Sequence, residues 1–471
     1  MNIKEQSTNT NEVSVALGEL RKSIDEIDDR LVELLKQRAA LALEIAAAKA
    51  QAGKPTYIPE RELEVLERVT AGDIGPMPEE SLRIIFREIM SASRALQRSV
   101  GDKTEVNMLP LVNDAFLTLK PYIPGKPVSE TKRELGLTDV IKLASNENPY
   151  GPSPKAISAA TLALEQVNDY PDGGAFYLRQ ALAKHWGLDA KNFVVGNGTN
   201  EIIEMVVHTF LRHDENLLYT NPSFVIYKLA AQAIGCAVKE VPATADLRHD
   251  LKALARAVEK KTKLVFLDNP NNPTGGYNNR AELEAFFNDI PDDVVVVLDE
   301  AYFEYATAKD YPSGFDYLNK RQRLLVMRTF SKCYGLAGMR VGYAVGNFEL
   351  IEYINRGRQP FNVNSVAQAA AIAAIEDHEH VEKSVQQNHQ EMVRMLPLLR
   401  SMGLKVYDSQ ANFLLVDFHR DGEQLFTQML HEGIIVRPMG PYGLPTSLRI
   451  TIGTRSQNDR MIAVLTRILE K

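Results

Sequence analysis

Cysteine is almost absent from this chain: 471 residues carry two, Cys236 and Cys333. They stand far apart and form no metal-ligand pattern, so neither a disulfide scaffold nor a bound metal is expected, and a reducing cytosol suits the composition. Long apolar runs are also missing, which excludes a helix spanning a bilayer. The opening residues, M-N-I-K-E-Q-S-T-N-T-N-E, lack the apolar core of a signal peptide. Positive charge is not in excess: 54 Lys and Arg against 61 Asp and Glu give −7. That balance leaves no footprint for nucleic acid. Internal repeats and low-complexity segments are absent too. A cytoplasmic protein is expected. What the chain does have is ordinary globular material, 45% hydrophobic, in a length that favours two or more domains.

The pattern changes once along the chain. Residues 1–13 read as a mobile tail. From about Ser14 to Ala50 apolar residues recur at helical spacing: Leu17, Leu20, Ile24, Ile27, Leu31, Leu34 and Leu35. So long a stripe needs a partner helix or a partner chain. Gly53 and Pro55 read as its stop. Further helices are expected from about Pro59 to Ala71 and from about Pro78 to Val100, which makes residues 14–100 an all-α domain. Residues 101–111 read as a linker. Beyond it, runs such as F-V-V-G, N-L-L-Y-T, K-L-V-F-L-D, V-V-V-V-L-D and R-L-L-V-M-R-T alternate with amphipathic helices. Runs apolar on both faces mark a parallel sheet covered by helices, so residues 112–471 read as an α/β domain. Its large part is placed at about 147–350. A smaller α+β part is expected from the segment before residue 147 together with about 351–471.

The chemistry concentrates in four stretches of the second domain. V-V-G-N-G-T-N-E (Val194 to Glu201) is a strand, a glycine turn and a helix start, where backbone N–H groups of Gly198, Thr199 and Asn200 would face an anion. N-P-N-N-P-T-G (Asn269 to Gly275) carries Asn272. The valine run ends at Asp299, with Tyr302 in D-E-A-Y. Then comes R-T-F-S-K-C-Y-G-L-A-G-M-R (Arg328 to Arg340), with Thr329, Ser331, Lys332 and Arg340. A strand-end carboxylate, an amine, an amide and phosphate-pairing groups are what pyridoxal phosphate needs. Alone, Lys332 would read as a solvated side chain and Asp299 as a helix cap. Phe224 is placed to stack on a ring or to pack in the core, about evenly. Arg449 suits an acidic group of the substrate or the surface of an edge strand. Cys333 reads as a half-buried bystander rather than a reactive thiol.

Together with N-E-N-P-Y-G-P (Asn146 to Pro152) and Y-P-D-G-G (Tyr170 to Gly174), these motifs resemble the fold-type I aminotransferases, closest to the histidinol-phosphate aminotransferase branch. The resemblance covers about residues 112–471. It implies pyridoxal phosphate as cofactor, Lys332 as the lysine that binds it, Asp299 at the ring nitrogen, and Asn272 with Tyr302 at the ring oxygen. It also implies a homodimer in which Tyr170 reaches the phosphate of the neighbouring subunit. Asp172 stands where many relatives have glutamate.

On the first helix, Arg38 and Lys49 fall within about 20° of each other and about 16 Å apart along the axis. Arg21 is about 25 Å from Arg38 and points roughly 100° away, so it would serve a partner's site rather than its own. Ser93 and Gln97 share a face four residues apart on the third helix. Taken alone, such charges read as a solvated face. The stretches L-R-K-S-I-D-E-I-D-D-R-L-V-E-L-L-K-Q-R (Leu20 to Arg38), A-A-A-K (Ala46 to Lys49) and P-E-R-E-L (Pro59 to Leu63) nevertheless resemble the all-helical chorismate mutases, over about residues 14–98. That resemblance implies conversion of chorismate to prephenate by Arg38, Lys49, Gln97, Ser93, Arg61 and Glu62, with Arg21 supplied by the partner. Ile58 replaces an aspartate found in some relatives.

A mutase joined to an aminotransferase suggests consecutive steps. The rear domain is expected to transaminate prephenate or an aromatic 2-oxo acid, with glutamate or aspartate as donor. Two alternatives stand beside this: a histidinol-phosphate aminotransferase with a fused mutase, or a helical domain that only dimerises or senses a metabolite.

Overall fold

The computed structural model describes residues 4–51, 59–72, 75–101, 115–119 and 125–470. The chain divides into two compact units, Met1–Leu111 and Val112–Lys471.

The first unit is helical: α1 (Lys4–Gln51), α2 (Pro59–Thr70) and α3 (Glu79–Gly101). Helix α1 starts at Lys4, so the stretch read as a mobile tail is helical from there on. Its reason is local: no glycine or proline occurs before Gly18, and polar residues extend a helix without needing a core. Both α1 and α2 pack on α3. Among the described residues of this unit the buried apolar side chains are Ala42 and Ala46, one turn apart on α1, with Leu66 and Met90. The apolar stripe stays exposed at Leu20, Ile24, Ile27, Leu31, Leu34 and Leu35. The expected stop at Gly53 and Pro55, residue Ile58 and linker positions 102–111 lie outside the described residues.

The second unit is built on a seven-stranded sheet. Its strands are β1 (Phe193–Gly196), β2 (Asn216–Asn221), β3 (Ala237–Pro242), β4 (Thr262–Asp268), β5 (Val295–Asp299), β6 (Leu324–Thr329) and β7 (Gly342–Gly346). They lie in the order β1-β7-β6-β5-β4-β2-β3. Neighbours from β6 to β3 pair in parallel, whereas β7 runs antiparallel to both β6 and β1. The all-parallel expectation is corrected there. Strand β7 escaped notice because G-Y-A-V-G is short and glycine-bounded, and β3 because it is amphipathic rather than apolar. Leu, Val and Phe side chains of the central strands are wholly buried between two helical layers.

A smaller four-stranded antiparallel sheet follows, with Phe413–Asp417 and Ser447–Thr451 at its centre. Ile141–Lys142 pairs in parallel with Ile434–Ile435 as a separate two-stranded sheet, and the Thr451 N–H donates to the Leu143 carbonyl at 2.9 Å, which ties the segment before the large sheet to the small one.

Arg328 on β6 and Glu300 just beyond β5 form an ion pair of 2.7 Å whose side chains are fully buried. The guanidinium lies 3.4 Å from the ring centre of Phe303 and 4.0 Å from that of Phe315. This pair locks together the strand ends that carry Asp299 and Thr329. Removing one partner leaves a buried charge uncompensated. Arg328→Leu is expected to lower the unfolding free energy by about 3–5 kcal/mol in urea denaturation, and the added change Glu300→Leu to recover much of it. A loss below about 1 kcal/mol would contradict this role.

Candidate active site

Strands β1, β2, β4, β5 and β6 all end on one edge of the sheet. The turns leaving them deliver, in that order, Thr199 and Asn200, Phe224, Asn272, Asp299 with Tyr302, and Thr329 with Ser331 and Lys332. Strand β7 begins at this edge because it is reversed, which is how Arg340 arrives. All these residues line one cavity, as do Ser145, Glu147, Tyr227 and Asp268.

Lys332 is half-buried, and its Nζ donates to the carbonyl of Ser145 at 2.9 Å. Withdrawal from water, reinforced by Arg449, lowers its pKa from 10.5 to about 7. Asp299 is buried, and burial raises its carboxyl to about 7 even though Tyr227 donates to Oδ2 at 2.8 Å and the Ala301 N–H to Oδ1 at 3.1 Å. A cationic ring nitrogen beside it would draw that value back down.

The loop after β4 is rigid because its asparagines brace it. Asn269 exchanges hydrogen bonds with Asn278. Asn271 holds Thr274 and reaches Pro222, Ser223 and Asp268. Asn272 is left facing the cavity. Its Oδ1 accepts from Arg449 Nη1, so its amide nitrogen is the group left to donate. Asn146 Nδ2 donates to the Tyr302 hydroxyl at 2.8 Å, which leaves the Tyr302 proton to give away.

At the phosphate end, Arg340 Nη1 approaches Ser331 Oγ at 3.5 Å. Thr199 and Asn200 open the helix Thr199–Phe210, whose first N–H groups have no intrahelical partner. Gly198 corrects an expectation, because its N–H donates to the Gly196 carbonyl at 2.7 Å and does not face an anion. Its use is space: at φ +78°, a Cβ there would lie 2.5 Å from Arg340 Nη2.

Arg449 is not on an exposed edge. It is 7% exposed on the strand Ser447–Thr451, donates to Ala144 O at 2.8 Å, and keeps a buried Nε with no partner. Cys333 is wholly buried rather than half-buried, and burial raises its pKa, so it is no reactive thiol. Tyr170 is outside the cavity, 84% exposed and stacked on Phe361 at 4.8 Å. Ser145, Glu147, Tyr227, Asp268 and Asn146 went unnoticed in sequence. Of these, Asn146 and Glu147, within N-E-N-P-Y-G-P, had a motif to mark them.

Pyridoxal phosphate fits this donor set. A carboxylate and an amine flank the cavity, two donors face one side, and a helix start with an arginine closes one end. Among the described residues no cluster of acidic, His or Cys side chains would hold a metal, and no helix is long and apolar enough to cross a membrane.

In the helical unit Arg38 and Ser93 come together. Arg38 Nη1 donates to Ser93 Oγ, which donates to Ile89 O at 2.8 Å. Lys49 is half-buried and Arg21 exposed. Arg61 is not brought to this group: it is exposed and pairs with Glu64 at 2.7 Å. The side chains of Glu62 and Gln97 lie outside the described residues.

Residues 138–465 match the family model for aminotransferase class I and II, and residues 20–98 that for chorismate mutase type II. The chain is 46% identical over 387 residues to a histidinol-phosphate aminotransferase of Moorella thermoacetica, which covers 82% of this chain and all of that one. It is 48% identical over 362 residues to one from Anaeromyxobacter, covering 77% and 100%. Among solved structures, histidinol-phosphate aminotransferase from Sinorhizobium meliloti in complex with pyridoxal-5'-phosphate superposes with a TM-score of 0.71 at 26% identity, over 77% of this chain and 99% of that one.

Two outcomes are expected. Because its amine is neutral above about pH 7, the apoprotein should capture pyridoxal phosphate with a rate that levels off just above that pH. A visible-absorbance rate still climbing at pH 10, as for a solvated lysine, would contradict this. Gly198→Ala should displace Arg340 and weaken cofactor binding about tenfold or more in equilibrium dialysis.

Proposed function

The chain belongs to the class I and II aminotransferases, uses pyridoxal phosphate and carries a type II chorismate mutase domain ahead of that fold; from this premise we propose that it makes prephenate from chorismate and then aminates prephenate or an aromatic 2-oxo acid. The observation that carries the reading is the presence of both domains on one chain. Prephenate has the 2-oxo acid group that an aminotransferase takes, so the product of the front domain is chemically competent as substrate for the rear one.

In the rear domain, bound pyridoxal phosphate supplies the sink for the electron pair left when the substrate Cα loses its proton. Lys332 Nζ, poised near neutrality, carries that proton. With the cofactor bound, the Asp299 carboxylate would hold a proton on the ring nitrogen, Asn272 Nδ2 and the Tyr302 hydroxyl would donate to the ring oxygen, and Phe224 would pack against the ring. Thr199, Asn200, Thr329, Ser331 and Arg340 bind the phosphate, joined by Tyr170 of the partner subunit in a homodimer. Arg449, with an unpartnered buried Nε, receives the substrate carboxylate.

In the front domain the rearrangement needs no nucleophile. The site must fold a dianion and stabilise charge on the breaking ether oxygen. Arg38, oriented by Ser93, and Arg21 of the partner subunit hold the carboxylates. Lys49 and Gln97 donate to the ether oxygen. Glu62 accepts from the ring hydroxyl, and Arg61 adds positive field once it turns from Glu64.

A second reading keeps the rear domain on histidinol phosphate. It is favoured by the names of the relatives, which are 43–48% identical and matched over 96–100% of their length. Turnover of purified protein with glutamate or aspartate separates the two. The first reading expects prephenate, phenylpyruvate or 4-hydroxyphenylpyruvate to exceed imidazole-acetol phosphate in kcat/KM, and the reverse order overturns it. Arg38→Ala should abolish chorismate loss and leave transamination intact; chorismate turnover that survives removes Arg38 from the clamp. Arg449→Lys should raise KM for the oxo acid about tenfold, because a forked donor becomes a point charge.

A further inference from the structure

Asp268 closes β4 directly beside Asp299 on β5, as its partner in the parallel register. Both carboxylates are buried and both line the cavity. Asp299 has work at the cofactor ring. Asp268 has none yet, although its charge is one of the influences that raise the proton affinity of Asp299.

The structure shows how Asp268 is restrained. Its Oδ2 accepts the Asn272 backbone N–H at 2.8 Å, and its Oδ1 accepts Asn271 Nδ2 at 3.1 Å. Below it lies His249, 3% exposed, just ahead of the helix Leu251–Arg256. The His249 Nε2 atom is 3.2 Å from Asp268 Oδ1 and 2.8 Å from the Asp268 carbonyl oxygen. Two oxygens facing one ring nitrogen require the proton to sit on Nε2, so His249 is the donor. Its Nδ1 is buried with no partner, and Asn271 Nδ2, itself a donor, stands 3.4 Å from the protonated Nε2 and cannot bond to it, which leaves Asp268 as the group the ring holds.

We propose that His249 and Asp268 form a positioning pair that sets the proton affinity of the cofactor site. The Nε2–H of His249 holds the Asp268 carboxylate against the loop, and the carboxylate holds the Asn272 backbone. The Asn272 amide, fixed at its other end by Arg449, is thereby aimed at the ring oxygen. The same grip keeps a second negative charge turned away from the ring face that Asp299 serves. His249 touches neither cofactor nor substrate and acts through Asp268. The inference rests on the assignment of Asn272 and Asp299 to the cofactor ring. The other groups that face Asp268 and Lys332 from surrounding elements are the Tyr219, Tyr227 and Tyr302 phenols, Glu147, Arg340 and Arg449. None of them changes in the variants below.

The test is a pH titration of the visible band of the bound cofactor in the full-length holoenzyme, together with cofactor affinity by dialysis. In His249→Leu the loosened Asn272 and the freed carboxylate both favour the protonated chromophore. The midpoint should rise by about half a pH unit or more and the cofactor Kd about tenfold. His249→Gln places an amide nitrogen where Nε2 lies and should restore both values. A loss of packing alone would lower thermal stability without moving the midpoint. An unmoved midpoint in His249→Leu overturns the proposal, and so does a His249→Gln variant displaced as far as the leucine. Should His249→Leu not fold, His249→Asn, too short to place a donor at Nε2, takes its place in the comparison. Asn272→Ala is titrated alongside. If its midpoint stays put, the ring-oxygen assignment falls and takes the pair with it; if it moves while His249→Leu does not, the pair alone is wrong.

Discussion

The edge of one sheet is the constraint on which the rest of the second unit depends. Six strands leave at that edge and one enters, so the residues that follow β1, β2, β4, β5 and β6 and the residue that precedes β7 are brought together. Backbone hydrogen bonding sets the spacing of these ends, and no single side chain has to reach far. The cost is electrostatic. Asp299, Asp268 and the Lys332 amine are gathered where water is scarce, which lifts the Asp299 carboxyl and depresses the amine until both lie near neutrality. That convergence is the useful property, because a lysine near pH 7 is a nucleophile and a proton carrier that a solvated lysine is not.

Holding such a site takes a surround that does no chemistry. The buried Arg328–Glu300 pair clamps the ends of β5 and β6 from the side away from the cavity. The asparagines at 269 and 271 brace a loop that leaves Asn272 as the one facing inward. Arg449 fixes the orientation of the Asn272 amide and is itself held by Ala144. These side chains are buried and each makes at least one hydrogen bond, with Arg449 Nε and Arg328 Nη1 left unpartnered, so the geometry is set before a ligand arrives.

Much of this was legible in the sequence. Motif residues with special backbone or chemical demands were readable: Lys332 in S-K-C, Asp299 after a valine run, Asn272 in an asparagine-proline turn, Arg340 eight residues beyond the lysine. Residues whose function arises from three-dimensional adjacency were not. Tyr227 sits on the helix Ile226–Ala233 and Asp268 at the end of an apolar strand, and only the packed fold brings both to the cavity. The reversal of β7 was hidden because a strand's sequence does not encode its direction. Gly198 was rightly singled out but for the wrong reason, since its value is room for Arg340 rather than an N–H. In the helical unit the stripe was visible as period, and its exposure from Leu20 to Leu35 follows from having only Ala42, Ala46, Leu66 and Met90 buried among the described residues. Arg61 pairs with Glu64, as a helix-borne arginine takes a neighbouring carboxylate when no ligand competes.

The central claim is that the Lys332 amine, and no other, is the group that bonds the cofactor. Treating the holoenzyme with borohydride makes that bond permanent, and peptide mass mapping then locates it. The account predicts a single pyridoxyl adduct on the peptide containing Ser331, Lys332 and Cys333. An adduct on any other lysine, with Lys332 unmodified, would contradict it.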